Sequence, residues 1–142
     1  MPAIIQSIGD TKSYEMWMTA GSNKLHHAKR FGYEPGTIVL CINKDTSLIL
    51  GVAITTSICK EHHLLDPDIY TEEYTKYNKY ECDVEFRPFA KPIPCREVNR
   101  MCGVDIHQSW YLYLSMCTCY LAGEKAPADA KERFQNLVMT WV

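Results

Sequence analysis

The stretch TIVLCINKDTSLILGVAITTSI, Thr37 to Ile58, holds two apolar arms around the polar Asn43-Lys44-Asp45-Thr46-Ser47. Two β-branched runs joined by a short polar turn read as a β-hairpin. Nearly every residue of both arms is apolar, which places the pair in the middle of a sheet with both faces covered. Gly51 interrupts the second arm, where a bulge or a close approach of another backbone is expected. Asn43, Lys44 and Asp45 also break the longest apolar run of the chain, so it does not supply the ~20 apolar residues of a membrane span.

Upstream of the hairpin, AIIQSI (residues 3–8) reads as a short strand closed by the turn pair Gly9-Asp10. Met16, Leu25, Ala28 and Phe31 lie close to helical spacing. They predict a helix from near Ser22, capped by Ser22 or Asn23 and ended at Phe31-Gly32. Downstream, residues 62–79 are polar and tyrosine-rich, a long connection with at most one short helix. YECDVEFRPF (residues 80–89) alternates: Tyr80, Cys82, Val84 and Phe86 fall on one side, Glu81, Asp83, Glu85 and Arg87 on the other, as in a half-exposed strand. The prolines of AKPIPCREV (residues 90–98) should take the chain off that strand at a sheet edge. HQSWYLYLSMCTCYL (residues 107–121) fits strand or helix, and the spacing of Trp110, Leu114, Cys117 and Leu121 favours helix. A last helix is expected from Pro127, with Phe134, Leu137, Val138 and Trp141 facing inward. The sum is a mixed α+β domain, and 142 residues suit one such domain spanning 1–142.

A net charge of -2 and a pI near 6.2 argue against coating nucleic acid through bulk positive charge, while leaving room for a local basic patch. Seven cysteines, an odd number, follow an N-terminus without a basic start and apolar run. Reduced thiols in an intracellular protein, cytoplasmic or nuclear, are the expectation, with no membrane association. Cys59 with His62 and His63, Cys95 with Cys102, and Cys117 with Cys119 lack the paired spacing of zinc sites, so no metal and no cofactor is expected.

The order of the pieces carries a resemblance. Ile4 to Ser7, then Trp17 and Thr19, then Asn23-Lys24-Leu25, then Leu50 to Ala53 within LILGVAITTSI, resembles the YTH domain of the PUA-like superfamily, which also holds the EVE and ASCH domains. The likeness runs in order through roughly the first 60 residues and continues loosely through ECDVEFRPFAKPIP. It implies a compact PUA-like mixed β-barrel with peripheral helices. It also implies binding of RNA or DNA, single-stranded or with a flipped base, by enclosing one base, modified or unmodified. Such a pocket needs an aromatic wall and a few polar groups.

By that resemblance Trp17 is the wall, Ser7 and Ile8 line the strand end, and Thr19 and Asn23 are polar contacts, with Tyr70, Tyr74, Tyr77 and Tyr80 as the candidates for the second wall. Ile8 stands where YTH readers have an asparagine, and no tryptophan lies between Trp17 and Trp110, so N6-methyladenosine specificity is not implied. Lys24, His27, Lys29, Arg30 and Lys60 are the candidate phosphate contacts. Against these readings stand ordinary ones: Trp17 as core, the tyrosines as pins of a loop, the charges as a solvated face. No catalytic residue is assigned. Two alternatives remain: an ASCH-like hydrolase of modified nucleosides using Lys24, Thr19 and Glu85, and a protein-interaction domain without nucleic acid. The sequence carries no sign of oligomeric state.

Overall fold

The computed structural model describes residues 3–7, 10–28, 34–61, 65–102 and 129–142. The elements are β1 (Ala3–Ser7), α1 (Thr11–Thr19), β2 (Lys24–His27), β3 (Ile38–Asn43), β4 (Leu48–Thr55), β5 (Lys60–Glu61), α2 (Glu72–Tyr77), β6 (Tyr80–Pro94), α3 (Cys95–Met101) and α4 (Ala130–Met139). The strands form one curled mixed sheet in the order β1-β3-β4-β6-β2, with β5 paired to β6. Among the described residues only β1 and β3 run parallel.

The expected hairpin is β3–β4, and it is central. Every residue of β3 is buried, because its alternate side chains serve two cores. Ile38, Leu40 and Ile42 pack with Val52, with Val98 of α3 and with Phe134 and Val138 of α4. Val39 and Cys41 face the other way, toward Trp17, Leu25, Ala53, Cys82 and Val84. The turn closes on Asn43, whose side-chain oxygen accepts from Asp45 N at 2.9 Å while its carbonyl accepts from Ser47 N at 2.9 Å. That local bonding by an asparagine side chain is a turn signal. The expected inner face of the last helix is also present, with Phe134 and Val138 sealed and Leu137 and Trp141 against the same cluster.

Gly51 takes the expected role at a register shift between β4 and β6. A Cβ there would lie 2.4 Å from Arg87 O and 2.7 Å from Pro88 Cα. Beyond this point β6 departs from expectation. Its prolines do not end it, since Ile93 and Pro94 pair again with Ile49 and Leu48. Between the two paired stretches only Leu50 of β4 faces four residues of β6, Phe89 to Pro92, so Pro92 falls where the ladder asks for no N–H. Phe89 in the bulge reaches Trp141, ring centroids 5.3 Å apart.

The helix expected from Ser22 is absent. The helix there is α1, which starts eleven residues earlier, at Thr11, and contains Trp17. Asp10 caps it by accepting from Ser13 N at 2.8 Å, and that backbone bond holds its carboxyl below the usual value. Gly21 and Ser22 then adopt φ of 101° and 50°, which ends the helix. Lys24–His27 is a strand whose residues alternate between part-buried and buried. Its pairing with β6 outweighs the weak helical spacing that runs through the same residues. The helix expected over residues 107–121, the helix start expected at Pro127 and the turn expected at Gly9 lie outside the described residues. Among the described residues no helix is long and apolar enough to cross a membrane.

Candidate nucleic-acid interface

Trp17 is the buried residue of α1, only 3% exposed. Its Nε1–H donates to Lys24 O on β2, so the indole pins the helix to the start of that strand. Two partly buried rings flank it. Phe86 of β6 meets it tilted at 62°, centroids 4.6 Å apart, and Tyr14, one turn back on α1, stands 6.2 Å away. Tryptophan thus forms the deepest of three rings where α1, β2 and β6 converge.

The β2–β6 register sets Lys24 opposite Asp83, Leu25 opposite Cys82 and His26 opposite Glu81. Leu25 and Cys82 belong to the Trp17 core, so alternation turns Lys24, His26, Glu81 and Asp83 to the other face of the ribbon. There Lys24 Nζ donates to Asp83 Oδ1 at 2.7 Å and lies 3.8 Å from Glu81. The bond to Asp83 raises the lysine pKa and lowers that of the aspartate. Lys24 is therefore a fixed cation whose charge is offset within the ribbon.

Tyr70 and Tyr74 belong to this second face. Their rings stack at 4.8 Å and 17°, and both present themselves edgewise to His26. Tyr74 OH lies 3.0 Å from His26 Nδ1, and His26 Nε2 is 3.6 Å from Glu81 Oε2. Burial pushes both phenols up in pKa, with Glu81 adding to the effect at Tyr70. The two tyrosines anchor α2 and the turn before it to the outer face of β2.

The predicted base pocket is thus divided. Trp17 lies on one face of the β2–β6 ribbon and the Tyr70–Tyr74 stack on the other, so neither of these stands opposite the indole; Tyr77 is exposed, and Tyr80 packs, partly buried, against the Trp17 core. Thr19 is exposed and donates to Glu15 O at 2.9 Å, and Asn23, also exposed, offers its carbonyl to Val84 N. Ser7 ends β1 opposite Ile42, while Ile8, Lys29 and Arg30 lie outside the described residues. His27 is buried, and that burial lowers its pKa to about 4, which leaves it neutral and unsuited to phosphate. Lys60 is exposed on β5, across from Glu81. Lys24, Thr19 and Glu85, the set considered for a hydrolase, have separate partners: Asp83, Glu15 O and Arg87. A lysine nucleophile or base needs a depressed pKa, and that of Lys24 is raised.

Phe86 is the contact that sequence reasoning passed over. The alternation of residues 80–86 put it on the inward side with Cys82 and Val84. Only the pairing of β6 with β4, Phe86 opposite Ala53, brings it against the indole.

A curled sheet with a parallel β1–β3 pair, a central hairpin and helices on its flank is matched by a solved structure over its whole length. A point mutant of the ASCH protein from Zymomonas mobilis superposes with a TM-score of 0.52 and 10% identity, covering 100% of both chains. The fold is PUA-like. The YTH domain of a Zygosaccharomyces rouxii protein, solved in complex with N6-methyladenosine RNA, is a looser likeness to this PUA-like chain. It has a TM-score of 0.49 and 13% identity, over 96% of this chain and 86% of that one. No protein-family model matches the sequence, and no curated protein does.

Proposed function

We propose that this PUA-like chain works as one domain that binds single-stranded nucleic acid, or a base flipped from a duplex, and holds one base against Trp17. The observation that carries the reading is how Trp17 is held. Its only polar atom is bonded to the β2 main chain, its helix is capped at Asp10, and a partly buried ring flanks it on β6. The indole is 3% exposed, so a base reaches its π-face only when a covering ring moves, and an indole already held in place loses no further side-chain freedom at that step. Stacking on such a face is worth about 1–3 kcal/mol per base.

The charges around the ribbon give this binding an unusual signature. Of the candidate phosphate contacts among the described residues, Lys24 is neutralised by Asp83 and Glu81 and His27 is buried and neutral, which leaves the exposed Lys60. Affinity then comes from the base, and its dependence on salt is shallow, with about one phosphate contact contributing a log–log slope near -0.7 for single strands. The test uses short single-stranded oligonucleotides, each measured intact and with one base replaced by an abasic site, between 50 and 300 mM salt. Loss of most affinity at the abasic position, with a slope between roughly 0 and -1.5, is expected. Equal affinity for intact and abasic strands with a steep slope would sink the proposal in favour of simple charge attraction. Absence of any binding would favour the protein-interaction reading.

A further inference from the structure

We infer that the Phe86 ring holds the place of the base: it is an aromatic plug over Trp17 that a nucleobase displaces, and the size of residue 86 sets affinity and selectivity at this site. The inference rests on the function proposed above and goes further by naming what occupies the indole before a ligand does.

Three observations converge on it. First, Phe86 meets the indole edgewise at 62° with its centroid 4.6 Å away, a direct ring-to-ring contact that a stacking base would have to replace. Second, Phe86 is partly exposed while Trp17 is sealed, so this ring stands between the indole and solvent. Third, the strand beneath the ring is stripped of side chains. Phe86 pairs with Ala53, and Phe86 Cε1 lies 2.9 Å from the position a Cβ on Gly51 would take, two residues along the same face of β4. The ring rests on a floor of glycine and alanine, which offers it no interlocking side chain on that side. An aromatic pair and a base–indole stack are contacts of similar strength, so exchange of one for the other is close to balanced.

The exchange also explains how a PUA-like chain without a second cage tryptophan reads a base. The indole is the stacking wall and the displaced ring borders the opened slot without stacking on the base, so a bulky substituent on the base competes with Phe86 for room. Small planar bases, pyrimidines above all, are the class that fits a slot the size of one phenyl ring.

The test is made on the full chain carrying Trp110→Phe and Trp141→Phe, so that Trp17 alone emits. Acrylamide quenching and binding of a short pyrimidine oligonucleotide are measured for this protein and for Phe86→Ala, Phe86→Leu and Phe86→Trp, each checked for folding by circular dichroism. Trimming residue 86 is expected to raise quenching of Trp17 several-fold and to tighten oligonucleotide binding about three- to tenfold, with Phe86→Leu intermediate and Phe86→Trp weaker than the parent. Phe86→Leu keeps the test decisive if the alanine variant does not fold. If the parent binds in a base-dependent way and trimming changes neither quenching nor affinity, the plug is overturned and the base-binding function stands. If no variant binds any oligonucleotide, even with Trp17 opened to acrylamide, both fall.

Discussion

Replacing Gly51 with alanine tests the strand geometry that supports the aromatic pair. The added methyl would sit 2.4 Å from Arg87 O, 2.7 Å from Pro88 Cα and 2.9 Å from Phe86 Cε1, all below the 3.4 Å at which ordinary contact begins. The two closest atoms belong to the main chain, so no rotamer change relieves them, and β4 and β6 must part by about 1 Å at the bulge. Overpacking of this kind costs about 2–3 kcal/mol, to which a weakened ladder bond between Val52 and Arg87 adds. For a chain of this size the melting temperature should fall by roughly 5–10 °C. Gly21 supplies the control. It has φ of 101° with nothing within 4 Å of a Cβ, so alanine there carries only the left-handed backbone penalty of about 1 kcal/mol. Thermal melts followed by circular dichroism, with urea midpoints as a second measure, compare the two variants. A Gly51→Ala protein no less stable than Gly21→Ala would refute the argument from close strand approach.

Two further outcomes follow from burial. His27 titrates near 4 in the folded chain against 6.5 when unfolded, so the unfolded state binds the extra proton between those values. Its contribution, of order 3 kcal/mol, is complete above pH 6.5 and is lost as pH falls toward 4. Urea midpoints for the parent should drop across that window more steeply than for His27→Asn, and equal slopes would contradict the assignment. Cys41, Cys59, Cys82, Cys95 and Cys102 are buried, with burial pushing Cys82 and Cys95 up to about 12 and Cys102 to about 11. Peptide mapping after iodoacetamide treatment at pH 8 should find these five unlabelled in the native protein and labelled in urea. Rapid native labelling of any of them would contradict the described packing.

What was legible in the sequence follows from how local each signal is. The β3–β4 hairpin and its turn were readable because two unbroken apolar arms and an asparagine turn need no distant partner to declare themselves. Gly51 stood out for the same reason, although only its approach to Arg87 and Pro88 tells what the glycine is for. Lys24–His27 was misread because four residues of alternation are too few to outvote a helical spacing, and the partner that makes them a strand lies far along the chain. The same distant register moved Tyr70 and Tyr74 to the face away from Trp17: a one-residue slip between β2 and β6 would have reversed it. The length of β6 was hidden by prolines that a bulge accommodates. Of the candidate site, the anchoring tryptophan was visible and its true neighbour, Phe86, was not, because neighbours across a sheet are set by pairing.

The order in which these contacts form differs as sharply as their visibility. The hairpin closes a short loop, whereas Lys24 and Asp83 meet across 59 residues of chain. Loop closure over the longer distance carries the larger entropic cost, so β3–β4 is placed to assemble early and the docking of α1 and β2 onto β6 late. Trp17 emission therefore reports a step later than closure of the hairpin. The same ranking holds in reverse for local opening: the amide protons of Leu25 and His27 should exchange well before those of Leu40 and Val52, so the ribbon at the aromatic pair can breathe while the hairpin stays closed.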